Sequence, residues 1–101
     1  MKRASLVAGL ILGLLFGTTH APAKETIKLG LLTPLTGDVK TFGESSKNAF
    51  LMAIEDYSKT GKYQITSIIA DDRNDATEGT NAALKLITQD KVAGIIGRAH
   101  V

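Results

Sequence analysis

Ile27-Lys28-Leu29-Gly30-Leu31-Leu32-Thr33-Pro34-Leu35-Thr36-Gly37, continued through Asp38 to Phe42-Gly43, is the stretch on which the fold turns. Ile27 to Leu32 is a nearly continuous apolar run rather than a clean alternation, which suits a strand covered on both faces. Thr33-Pro34 ends it, because proline has no N–H to give to a ladder and biases the residue before it toward extended geometry. From about Val39 or Phe42 to Tyr57 the periodicity becomes helical. Ala49, Phe50, Met52, Ala53, Ile54 and Tyr57 recur at three- and four-residue spacing, while Lys47, Asn48, Glu55 and Asp56 lie mainly on the other side.

Downstream the same alternation continues. Gly61, within Ser58 to Lys62, is expected to stop the helix as a left-handed cap. Ile65 to Ala70 reads as a second strand, followed by the polar loop Asp71-Asp72-Arg73-Asn74. Asp75 and Glu78 have the spacing of a capping box and place the next helix start there, with an apolar stripe of Ala76, Ala83, Leu84 and Ile87 carried to about Gln89. Val92 to Ile96, interrupted by Gly94 and closed by Gly97, reads as a third strand. Strand, helix, strand, helix, strand calls for an α/β fold: a βαβαβ parallel sheet with flanking helices and right-handed crossovers. If the strand order is 2-1-3, a ligand crevice lies between the loops after the first and third strands, outside their carboxyl ends.

Upstream the character changes. Met1-Lys2-Arg3 is a short basic start, Ala4 to Gly17 carries no charge, and Ala21-Pro22-Ala23 offers small residues at a cleavage site. Residues 1–23 therefore read as a secretory signal peptide, and residues 24–101 as the domain. The apolar run falls short of the roughly 20 residues that span a bilayer. Lys2 and Arg3 account for the net charge of +2, so the remainder is balanced, and the basic isoelectric point is no signal for nucleic acid or an anionic membrane. With no cysteine, disulfides, thiolate catalysis and Cys-based metal sites are excluded. A soluble exported protein is the expectation. Its 78 residues would bury only about 60–65 per cent of the surface of the unfolded chain, which leaves a small stability margin.

The first loop brings Thr33 and Thr36 hydroxyls, Gly37, and backbone N–H groups at a helix start, an end that favours a carboxylate or phosphate. The plainer reading is a strand-to-helix turn whose threonines cap their own backbone. Phe42 and Gly43, an aromatic beside a glycine at the crevice mouth, suit contact with the apolar part of a small ligand, although a phenylalanine at helical spacing also serves a core. Asp71, Asp72, Asp75 and Glu78 lack the pattern of a calcium loop and are expected to cap a helix, not to hold a metal. No dinucleotide fingerprint, phosphate loop, nucleophile elbow or histidine pair is present, so no enzyme and no cofactor are expected.

Taken together, Ile27 to Gly37, Phe42-Gly43, Ala53-Ile54-Glu55-Asp56, Asp71-Asp72 and Ala83 to Gly97, after a signal peptide, resemble the start of the branched-chain amino acid (leucine family) periplasmic substrate-binding proteins of ABC transporters. The resemblance covers about residues 26 to 97 and implies a partial periplasmic-binding-protein type I lobe, one of two that close on an amino acid and deliver it to a membrane permease. It implies that an aromatic matched by Phe42 lines the cleft, and that the glycine matched by Gly97 leads into a carboxylate-holding loop of small hydroxyl residues. Here Arg98-Ala99-His100-Val101 follow instead. Arg98 could pair with a carboxylate, or it belongs to the tail of a truncated or frameshifted reading frame, which is the expectation. The ligand-binding candidates are thus Thr36, Phe42, Gly43, Gly97 and Arg98, in a fragment that does not bind tightly alone. The rival readings are a flavodoxin-like mononucleotide-binding domain and the ectodomain of an amino acid sensor.

Overall fold

The computed structural model describes Gly17 and residues 23–97. Most of the expected signal peptide, and Arg98 and His100 at the other end, lie outside the described residues. The order is β1 (Glu25–Thr33), α1 (Lys40–Thr60), β2 (Tyr63–Asp71), α2 (Ala76–Thr88) and β3 (Gly94–Gly97). The three strands form one sheet in the order β2-β1-β3, parallel throughout. The apolar run that opens the sequence is therefore the central strand, with Ile27 opposite Ile65 and Leu31 opposite Ile69 on one side, and Leu29 opposite Gly94 on the other.

The helices cover opposite faces. Gly30 lies beneath the Leu86 side chain of α2, while Leu29 and Leu31, alternating with it along β1, share hollows with Phe50 of α1. Leu31, Leu32, Phe50 and Leu86 form the buried core, each contributing about 1.5–3 kcal/mol relative to full exposure. This two-sided cover explains why β1 needs apolar residues in succession.

The helix faces differ from those expected. Of the α1 stripe only Phe50 is buried and Ile54 half-buried; Ala49, Ala53 and Tyr57 are exposed along the open hollows beside α1, and Met52, two residues from Phe50, lies on the opposite side of the helix. In α2 the face turned inward centres on Gly79 and Leu86, with Ala82 and Ala83 half-buried, and Leu84 and Ile87 point outward. Asp75 is the α2 N-cap as expected, its carboxylate accepting from the Glu78 N–H at 2.9 Å. Gly61 ends α1 differently from the expectation. Its backbone is extended (φ −71°, ψ 150°), and its N–H closes the last turn on the Tyr57 carbonyl.

Candidate functional site

The carboxyl ends of β1 and β3 lie side by side, Leu32 paired with Gly97, and the β2 end lies on the other side of β1, Thr33 paired with Asp71. Between α1 and the β1–β3 edge a hollow of about 460 Å³ opens, bounded by Leu31, Thr33, Ser46, Phe50, Ile96 and Gly97 among others. Thr33 is buried, and Ser46 supplies an exposed hydroxyl to the same wall.

The turn above β1 is held from behind. The Asp71 carboxylate accepts the Leu35 N–H through Oδ1 at 2.8 Å and the Thr36 hydroxyl through Oδ2 at 2.7 Å. Its Oδ1 also accepts the Arg73 N–H at 2.8 Å, and Asp72 Oδ1 accepts the Asn74 N–H at the same distance. These two-residue links stabilise the left-handed backbone of Arg73 (φ 52°) and Asn74 (φ 56°). Burial by itself pushes the Asp71 carboxyl up. The donors from Leu35, Thr36 and Arg73, with the Arg73 guanidinium beside them, outweigh that and hold its pKa below the ordinary aspartate value.

The entry to α1 is built by its contact with the turn. Gly37 takes a left-handed φ of 86° and starts the reversal. Gly43 is buried, and a methyl group placed on it would overlap the Pro34 carbonyl oxygen, so only glycine lets the helix seat on the turn. Val39 caps the helix without a side-chain hydrogen bond, and no acidic residue lies in the first turn. The Lys40 and Phe42 N–H groups close short turns on the Gly37 and Val39 carbonyls. Of the two readings of this turn, an anion site at the helix start and a plain strand-to-helix connection, the first is weakened, because donors there are partly spent within the turn. Asp71 adds a negative charge behind it, the opposite of what a phosphate there would require.

Of the sequence candidates, Gly97 borders the hollow, and Thr36 stands exposed above β1 with its proton committed to Asp71. Gly43 is a packing position, and Phe42 is 73 % exposed at the start of α1. Arg98 lies outside the described residues. Sequence reasoning missed Ser46 and the structural use of Asp71. Ser46 follows Gly43 by three residues and shares its helix face, a spacing that could have found it. Among the described residues no three His, Asp or Glu side chains are grouped to hold a metal. No helix there is long and apolar enough to cross a membrane.

Comparison with known proteins gives a consistent result. The sequence profile of the periplasmic binding protein family matches residues 26–100. A Leu/Ile/Val-binding protein of Rhizobium johnstonii is 30 % identical over 100 residues, covering 96 % of this chain and 26 % of the relative. A leucine-, isoleucine-, valine-, threonine- and alanine-binding protein of Pseudomonas aeruginosa is 33 % identical over 82 residues, covering 78 % and 22 %. The chain thus spans about a quarter of the length of these curated relatives. Among solved structures, the isoleucine complex of a branched-chain amino acid transporter substrate-binding protein from Streptococcus pneumoniae shares the fold, with a TM-score of 0.69 at 24 % identity over 74 % of this chain and 22 % of that one. An ABC-transporter solute-binding protein from Rhodopseudomonas palustris, bound to 3,4-dihydroxybenzoic acid, has a TM-score of 0.63 at 32 % identity over 69 % and 20 %.

Proposed function

The chain belongs to the periplasmic binding protein family, and from that premise we propose that it supplies one wall of the ligand cleft of an exported ABC-transporter subunit for branched-chain or related amino acids. The observation that carries this reading is the 460 Å³ hollow at the carboxyl ends of β1 and β3, apolar at Leu31, Phe50 and Ile96 and hydroxyl-bearing at Thr33 and Ser46. An aliphatic side chain suits the first part and a polar amino acid backbone the second. Phe42 stands free to meet the ligand from the start of α1, and Gly97 brings the chain to the cleft at the end of β3. The role is capture and delivery to a membrane permease, without chemistry. Residues 1–23 direct the chain to the periplasm.

A site of one wall touches a ligand on one side only, so the expected dissociation constant for this chain is about 1 mM or weaker. The test is an NMR titration of the isotopically labelled chain with L-leucine, L-isoleucine and 3,4-dihydroxybenzoate. Saturable amide shifts with the two amino acids at Thr33, Thr36, Phe42, Ser46 and Gly97 are expected. Response of these positions to the aromatic acid alone would move the substrate class. No response to any of the three would sink the reading, and micromolar leucine affinity would contradict the one-walled site.

A further inference from the structure

We infer that Asp71 is a positioning residue that sets the start of α1, and with it Phe42 and Ser46, by holding the Thr33–Gly37 turn against β2. The inference rests on the cleft reading above but is carried by a separate chain of contacts. The Asp71 carboxylate takes the Leu35 N–H and the Thr36 hydroxyl, two donors from consecutive residues on separate oxygens. That pair fixes both the height and the rotation of the turn. The preceding residue, Pro34, is fully buried, and its carbonyl is the surface on which Gly43 rests. Any drift of the turn therefore moves the first turn of α1, because no gap between Pro34 and Gly43 can absorb it. Phe42 adjoins Gly43, and Ser46 follows on the same helix face, at the wall of the hollow. Asp71 is itself held: the Thr33–Asp71 register pair and the Asp72 N–H to Thr33 carbonyl bond, at 3.1 Å, tie its backbone to β1.

Val39 makes no capping bond, so the entry angle of α1 is left to the Asp71, Pro34 and Gly43 contacts. The Thr36 hydroxyl has its proton given to Asp71, so toward any further partner it can only accept.

The experiment compares the whole labelled chain with Asp71→Ala, Asp71→Asn and Thr36→Val, without ligand. In Asp71→Ala, hydrogen-exchange protection of the Leu35 amide is expected to fall about tenfold or more, the factor carried by a lost hydrogen bond to a charged group. The Phe42 ring and Ser46 amide resonances shift with it. Asp71→Asn keeps an oxygen for Leu35 and Arg73 and an amide group for the Thr36 oxygen, so the Phe42 and Ser46 resonances return to their wild-type positions. Thr36→Val, which removes one of the two turn contacts, shifts Phe42 in the same direction as Asp71→Ala by a smaller amount, and decides the matter if Asp71→Ala does not fold. Unmoved Phe42 and Ser46 resonances in Asp71→Ala, or in Thr36→Val where the alanine variant is unfolded, overturn the inference. So does failure of Asp71→Asn to restore them. Because no ligand is present, this result is independent of the leucine titration, and either reading can fail while the other stands.

Discussion

Gly43 shows how one missing methyl group fixes a helix to a turn. With the Pro34 carbonyl oxygen occupying the space of a Cβ, Gly43→Ala must separate α1 from the turn. A cost of about 3 kcal/mol is expected, the upper end of the usual overpacking range, read from urea unfolding midpoints. Asp71 makes a pH-dependent contribution at the same place. Its folded-state pKa lies below the ordinary 3.8 of the unfolded chain, so its stabilisation is complete above that value and is lost as pH falls through the folded pKa. The urea midpoint of the wild-type chain is therefore expected to drop as the pH is taken below 3.8, by more than that of Asp71→Asn. An equal drop in both would remove Asp71 from this role. The sequence places Asp71 in a polar run and offers no sign of its reach to Leu35 and Thr36. That contact exists only because β1 and β2 pair in the register that sets Thr33 beside Asp71.

Among the elements, the strands were legible and the helix faces were not. The apolar runs of β1 and β2 and the glycines around β3 mark the strands directly, and the observed order 2-1-3 is the one on which the crevice between the first and third loops depended. Helix faces depend on what lies above each flank, which periodicity cannot say. The α2 stripe was expected at Ala83, Leu84 and Ile87, yet Leu86 is the residue seated over Gly30, where the central strand leaves room for it. Leu86→Ala is accordingly expected to cost about 2–5 kcal/mol, against less than about 1 kcal/mol for Ile87→Ala, in parallel urea melts. Capping could be read, since Asp75 followed by Glu78 is a local pattern, and the Asp75 carboxylate does accept the Glu78 N–H. Asp75→Ala should lower stability by about 1 kcal/mol on the same scale.

Across the whole molecule, the resemblance read from Ile27 to Gly37 and the later motifs agrees with the family match over residues 26–100. What the sequence could not show was how open one side of the lobe stays. Beside α1 a second apolar hollow, of about 280 Å³ and bordered by Leu29, Phe50, Tyr57 and Ile96, continues along the sheet, and Ile96 remains 53 % exposed. The all-parallel order has a consequence in time as well as in space. Glu25 has no strand partner until Tyr63 has been made, and Leu29 waits for Gly94. The first strand of the domain to leave a ribosome is thus the last to be enclosed, since its two neighbours arrive one after the other. Such non-local pairing slows folding to milliseconds or longer, to be measured by stopped-flow dilution from urea.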